Sequence, residues 1–257
     1  MNSQKTCYKL VPLALVMLGL FLFNQVVAQQ SGQRSCEVVA SFPSPGPSPQ
    51  DLAWDGNYLW VVDDSTDMIY KLDPSTGKVL LSFATPGLEP KGLACDGKHL
   101  WLSENRTAKI YKFDLSNKSL NTPISAIDAP VIKLGRRGRS PISGLAWDGQ
   151  YLWSSYFAGY STKIVKVDPK DGSILGGDFI YGVPIGLASD GTYIWYADDR
   201  GGRGLGVIFK YRIHNNDLWW VSNFEIPLYF PTGLAWDGAY LWIADRGTKR
   251  IYKVVIK

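Results

Sequence analysis

The sequence predicts an all-β fold, a five-bladed β-propeller with four-stranded blades whose ring is closed by the N-terminal strand pairing in the last blade. Three observations predict it. A ten-residue unit close to Gly-Leu-Ala-Trp-Asp-Gly-x-Tyr-Leu-Trp recurs at Asp51 to Trp60, Gly92 to Trp101, Gly144 to Trp153, Gly186 to Trp195 and Gly233 to Trp242. The position of its first tryptophan is held by Trp54, Cys95, Trp147, Ser189 and Trp236, spaced 41, 52, 42 and 47 residues apart. A period in the forties with several short strands per unit belongs to propeller blades and not to helical solenoids. Finally, the last unit stops before its outer strand, while the start of the chain carries a strand that has no blade.

The elements follow in order. Lys5 and Lys9 precede an apolar run from Leu10 to Phe23, and Val26-Val27-Ala28 ends in small residues. This is the layout of a secretory signal peptide over residues 1–28, and the run is short for a membrane span. It implies export, to a periplasmic or extracellular destination. Residues 29–36 are expected as a short linker, and 37–257 as a single propeller domain. Loss of Lys5 and Lys9 lowers the formal charge from +4 to +2. That balance gives no reason to expect a nucleic-acid partner, and a monomer without a membrane span is expected.

Within each unit the Gly-Leu-Ala-Trp segment reads as inner strand A. Asp-Gly then turns the chain, because glycine reaches positive φ without strain. Tyr58 to Asp63 is strand B and Met68 to Asp73 strand C. The turn Pro74-Ser75-Thr76-Gly77 leads to strand D at Lys78 to Phe83. Residues 37–42 resemble that strand D and fit the vacant outer place beside Trp236, which removes two open sheet edges. Eight of the ten tryptophans occupy repeat positions and read as packing between blades; Trp219 and Trp220 do not, and fall on strand D of the fourth blade. Cys36 and Cys95 are assigned to non-adjacent blades, too far apart for a bridge.

Loops between strands D and A and between B and C share one face, and the regular turns share the other. Variable loops carry function more often than regular turns. Strand B ends in Asp63, Glu104, Tyr156, Asp198 or Asp245. Four carboxylates in approximate five-fold array could surround the channel mouth, as a divalent cation site or an acid/base pair. The competing expectation is that each caps backbone N–H groups of its own loops. No other metal site and no cofactor is expected. The same face carries Arg136, Arg137 and Arg139 in the insertion before the third blade, and Arg200 and Arg203 in the fourth blade's B–C loop. Tyr156, Phe157 and Tyr160 lie between them. Arginine forks beside exposed aromatics suit an anionic glycan, a peptide carboxylate or a partner protein.

The Asp-Gly-x-Tyr-Leu-Trp units, with Ile69-Tyr70-Lys71-Leu72-Asp73-Pro74 and Thr76-Gly77-Lys78-Val79, resemble a group of secreted bacterial propellers across residues 37–257. The group includes relatives of plant-type glutaminyl cyclotransferases, streptogramin lyases and the quinoprotein amine dehydrogenase β-chain. The lyases imply a histidine-containing, metal-assisted site. Only His99 and His214 are available here, one at the strand-B tyrosine position and one in a C–D turn. For the cyclotransferases the repeats match, but no catalytic residue does. Two functions remain: a binding or protein-interaction scaffold with its ligand at the loop face, or an enzyme of the cyclotransferase or lyase type using channel-mouth carboxylates. The residues favour the scaffold.

Overall fold

The computed structural model describes residues 36–117, 120–130, 142–157, 162–202 and 204–256. The expected signal peptide lies outside them. The described strands form five antiparallel sheets of four. Blade one is β2 (Pro49–Trp54), β3 (Leu59–Asp63), β4 (Met68–Leu72) and β5 (Val79–Ala84). Blade two is β6 (Pro90–Cys95), β7 (His99–Glu104), β8 (Lys109–Asp114) and β9 (Ser125–Asp128). Blade three is β10 (Ile142–Trp147), β11 (Leu152–Phe157), β12 (Thr162–Val167) and β13 (Ile174–Phe179). Blade four is β14 (Leu187–Ser189), β15 (Tyr193–Asp198), β16 (Val207–His214) and β17 (Asp217–Glu225). Blade five is β18 (Pro231–Trp236), β19 (Leu241–Asp245) and β20 (Arg250–Ile256), completed by β1 (Cys36–Pro43).

The ring closure is thus as the repeat count requires. Phe42 lies opposite Ile251, Ser41 opposite Tyr252 and Ala40 opposite Lys253. Arg250 donates to the Ser41 carbonyl at 3.1 Å and to its hydroxyl at 2.9 Å. Inner strands contact each other in sequence, β2 to β6, β10, β14, β18 and back to β2. Most inner strands begin before the repeated Gly-Leu-Ala-Trp. Pro49, Pro90 and Pro231 each pair with the last residue of strand B, and Ile142 with the last but one, across an irregular register. Proline at a strand's first position costs no ladder bond.

Apolar cores fill the wedges between neighbouring blades. Trp60, Trp101, Trp153, Trp195 and Trp242 are all buried there. Where the next blade supplies a strand-A tryptophan, the rings can stack: Trp101 on Trp147 at 6.5 Å and Trp195 on Trp236 at 6.2 Å. The repeat has a second purpose that its turn chemistry alone does not suggest. In blade one, Asp55 accepts the Asn57 and Tyr58 N–H groups through one oxygen and the Trp60 indole through the other, at 2.8 Å. Lys71, from strand C, lies 3.4 Å from that carboxylate and 4.0 Å from the Tyr58 ring centre. Asp148 with Trp153 and Lys166, and Asp237 with Trp242 and Lys253, repeat this box. In blade two His99 takes the tyrosine's place and its Nδ1 meets Asp96 at 2.9 Å. It is a packing residue, as its position suggested. Cys36 and Cys95 are both free thiols. Cys95 packs between blades one and two, where burial pushes its thiol up to about 12; Cys36 packs between blades four and five.

Candidate functional site

The axis comes first, because propeller ligands often approach it. Its centre is filled by Asp51, whose side chain is fully buried. Asp51 occupies the repeat position held elsewhere by Gly92, Gly144, Gly186 and Gly233. Its carboxylate accepts the N–H groups of Leu52 at 2.9 Å, Leu93 at 3.0 Å, Leu145 at 3.2 Å and Leu234 at 3.2 Å. Four blades therefore donate to one side chain. The glycines make the approach possible, since a Cβ at Gly186 would lie 2.9 Å from Asp51 Oδ1. Burial pushes the carboxyl well above the ordinary range, against the four donors, which favour the charged form. Towards the turn face, the Leu-Ala segments leave an axial space of only about 50 Å3. Among the described residues, the axial space on that side holds little more than a water molecule.

The expected carboxylates sit at the ends of strand B, and each holds backbone. Asp63 accepts the Ser48 N–H at 2.6 Å from the D–A side, and those of Ser65 and Thr66 at 3.1 Å from the B–C turn. Glu104 takes Glu89 N–H at 3.1 Å, Arg106 N–H at 2.9 Å and Thr107 N–H at 2.7 Å. Asp245 takes Phe230 N–H at 3.0 Å and Thr248 N–H at 2.6 Å. In all three a threonine hydroxyl, three residues on, donates to the same carboxylate. These three are loop staples. Among the described residues no three His, Cys, Asp or Glu side chains converge in a way that would hold a metal ion.

Blade four departs from that pattern. Asp198 accepts Arg200 N–H at 2.8 Å and bonds the Val183 backbone, but Gly201 stands where the threonine would be. Its loop instead turns through left-handed residues, Arg200 at φ 51°, Gly201 at 63° and Gly202 at 72°. On the D–A side Gly182 lets the chain press against the carboxylate, which a Cβ there would strike. Burial raises the Asp198 carboxyl, against the backbone donors.

Beside Asp198 opens a cleft of about 760 Å3, lined by Tyr181, Gly182, Asp198, Arg200, Phe209, Tyr211, Trp220 and Asn223. The pleat assembles it. Tyr196, Phe209 and Asn223 lie directly opposite one another on β15, β16 and β17, and Tyr211 lies two residues along on the same face. Tyr196 is the buried floor, stacked on Phe209 at 4.8 Å and Tyr211 at 5.8 Å, with its hydroxyl donating to the Tyr181 carbonyl at 2.6 Å. Tyr181 and Trp220 form the exposed walls, at 81% and 61% exposure. Arg200 reaches the rim, where Glu225 holds its guanidinium at 2.9 Å.

Of the loop residues expected to bind, Arg200 therefore lines the cleft. Tyr156, expected on an exposed loop, is instead buried in the core between blades two and three. Its side chain points into that wedge, so it cannot reach a ligand at the rim. Phe157 ends β11. Arg136, Arg137, Arg139, Tyr160 and Arg203 lie outside the described residues. Sequence reasoning had no reason to single out Tyr181, Phe209, Tyr211 or Asn223. The one available signal was Trp219-Trp220, the tryptophans that the repeat does not explain. Trp219 packs on His214 at 4.0 Å beside the C–D turn, and Trp220 faces the cleft.

No protein-family profile matches the chain, and no curated protein matches it in sequence. Solved structures match in fold. A glutaminyl cyclase of Myxococcus xanthus superposes with a TM-score of 0.68 at 10% identity, over 88% of this chain and 97% of that one. The PQQ-bound aldose sugar dehydrogenase of Streptomyces coelicolor gives 0.55 at 16%, over 88% and 99%. The Cps50 (Swd1) β-propeller domain of Myceliophteria thermophila gives 0.51 at 10%, over 87% and 100%. At these identities the likeness is one of fold, and it defines the chain as a β-propeller. Among the described residues no helix is long and apolar enough to cross a membrane.

Proposed function

We propose that this chain is an exported binding propeller that takes a peptide, a glycan or a partner's surface group on the loop face of its fourth blade. The observation that carries the reading is the contrast between the strand-B carboxylates. Asp63, Glu104 and Asp245 are engaged by backbone N–H and threonine hydroxyl donors, whereas Asp198 borders an open aromatic cleft. Mostly apolar concave walls with a few converging polar groups are the usual makings of a ligand site. The layout of residues 1–28 supports export. An enzymatic role would need a carboxylate free to exchange protons with substrate, and the loop staples leave little for that.

The test is a screen of glycans and peptides on the purified protein, followed by Trp220→Ala. Trp220 is largely exposed, so its loss should leave folding intact and weaken the ligand at least roughly tenfold, the scale of one well-placed aromatic contact. Unchanged binding by Trp220→Ala, with loss in the Arg136, Arg137 and Arg139 triple serine variant, would move the site to the insertion. Turnover of an N-terminal glutaminyl peptide that Asp198→Asn abolishes would replace binding by catalysis.

A further inference from the structure

Resting on the reading of the fourth-blade cleft as the binding site, we propose that its ligand group is an organic ammonium ion, a quaternary or alkylated amine held over aromatic faces beside Asp198. The chain contains its own template for this. Lysines from strand C lie over the tyrosine or tryptophan of their blade's box: Lys71 at 4.0 Å from Tyr58, Lys166 at 4.3 Å from Tyr151, Lys210 at 3.8 Å from Tyr193 and Lys253 at 4.1 Å from Tyr240. Three of these ammonium groups also lie within 4.0 Å of the box aspartate. Carboxylate, tyrosine and tryptophan together therefore make an ammonium seat wherever this fold assembles them.

The cleft assembles the same three groups. Asp198, Tyr211 and Trp220 are joined there by Phe209 and Tyr181. Among the described residues no lysine lines it, and no cationic side chain forms an ion pair with Asp198. The lysine between Phe209 and Tyr211 is Lys210, which points to the opposite sheet face and sits over Tyr193 and Trp195. Arg200, the arginine among the described lining residues, pairs with Glu225 and not with Asp198. A carboxylate shielded by aromatic rings, with the Arg200 guanidinium paired to Glu225, attracts a cation by charge, and the ring faces attract it by their quadrupoles. An anionic ligand would meet the Asp198 carboxylate inside the cleft, with Arg200 paired to Glu225 at the rim. A neutral saccharide would use the rings but leave the carboxylate's charge unmatched. A cleft of this size holds a headgroup several times larger than a lysine ammonium, which favours an alkylated amine over a metal ion or a bare amine.

The experiment compares choline with 3,3-dimethylbutanol, which has the same shape and no charge, using the indole N–H resonances of the purified protein. Trp220→Leu identifies the Trp220 signal. Choline should shift that signal and bind at least roughly tenfold more tightly than the alcohol, weakening as salt is raised. Asp198→Asn should remove most of that preference and leave the alcohol's affinity unchanged. Because Asp198 also holds its loop, Trp220→Leu is the second variant, its binding followed by calorimetry because it has no Trp220 signal: it keeps apolar area, removes the ring face, and should lose choline while retaining the alcohol. Equal affinity for the two probes, or choline binding untouched by Trp220→Leu, overturns the inference. If chitohexaose or laminarihexaose shifts the Trp220 signal and choline does not, the cation class is wrong and the cleft stands as a site. If none of these probes moves it, the inference and the site both fall.

Discussion

In four of the five Asp-Gly pairs, at Asp55, Asp96, Asp148 and Asp237, the aspartate carries two jobs on one side chain, turning the chain and anchoring an indole. Asp237 shows both: it accepts Ala239 and Tyr240 N–H at 2.9 and 2.7 Å and the Trp242 indole at 2.9 Å. Burial opposes its ionisation, but these donors and the Lys253 ammonium together hold the carboxyl below the usual range. Asp96 is lowered in the same way by Lys98, His99 and Trp101. A carboxyl lowered in the folded state contributes stability above its unfolded value of about 3.9, and that contribution is lost as pH falls through the folded value. Asp237→Asn should therefore destabilise at neutral pH, by about 1–3 kcal/mol for a hydrogen bond to a charged group. The gap between it and the parent should close as the pH of the melt is lowered from about 5 to about 2. A gap that stays constant over that range would mean the charge plays no part. Blade four lacks the second job: Asp190 turns the chain, but the Trp195 indole N–H is buried without a partner.

At the scale of elements, β1 is the segment whose removal tests the architecture. It covers β20 from Cys36 to Pro43, and Phe42 enters the core between blades five and one beside Trp242, at 5.8 Å. Deleting residues 36–43 should expose the β20 edge and withdraw Phe42, so that the protein aggregates or melts earlier and less cooperatively. An unshifted melting temperature would mean the ring does not depend on this strand. Such a closure was legible in the sequence because it is a matter of counting: five inner units and one orphan strand. The strand-B carboxylates were legible as positions, since the repeat displays them, but their roles were not. Whether Asp63 and Asp198 do the same work depends on the residue three positions on, Thr66 in the one case and Gly201 in the other. The cleft was harder still. Its walls come from three strands and a D–A loop whose side chains share a face only through cross-strand register, and Tyr156 was misplaced because a residue near a strand's end can point into the wedge as easily as out of it.

The molecule as a whole is tied at one point. Asp51 joins the inner strands of blades one, two, three and five, and these include blades that do not touch as neighbours. A contact of this kind has no counterpart inside any single repeat, and the sequence marks it only as the one unit that starts with Asp instead of Gly. Because the donors come from separate blades, weakening this carboxylate should loosen the ring as a unit and not one blade. Asp51→Asn keeps the volume but offers one acceptor oxygen, and its NH2 faces N–H groups that also need acceptors. Each N–H left unpaired in that dry centre costs about 1–3 kcal/mol, so the variant should lose several kcal/mol while still unfolding in one transition. Burial raises the parent's carboxyl, so its contribution to stability is present below the unfolded value and is lost as pH rises through the folded value. The gap between parent and Asp51→Asn should accordingly be widest in acid and narrow towards neutrality, opposite in sign to the gap for Asp237→Asn. Denaturant melts of both variants across the same pH series separate the two effects. If Asp51→Asn unfolds within about 0.5 kcal/mol of the parent at every pH, the ring is held by its interblade cores alone, and the axial carboxylate is a filler and not a tie.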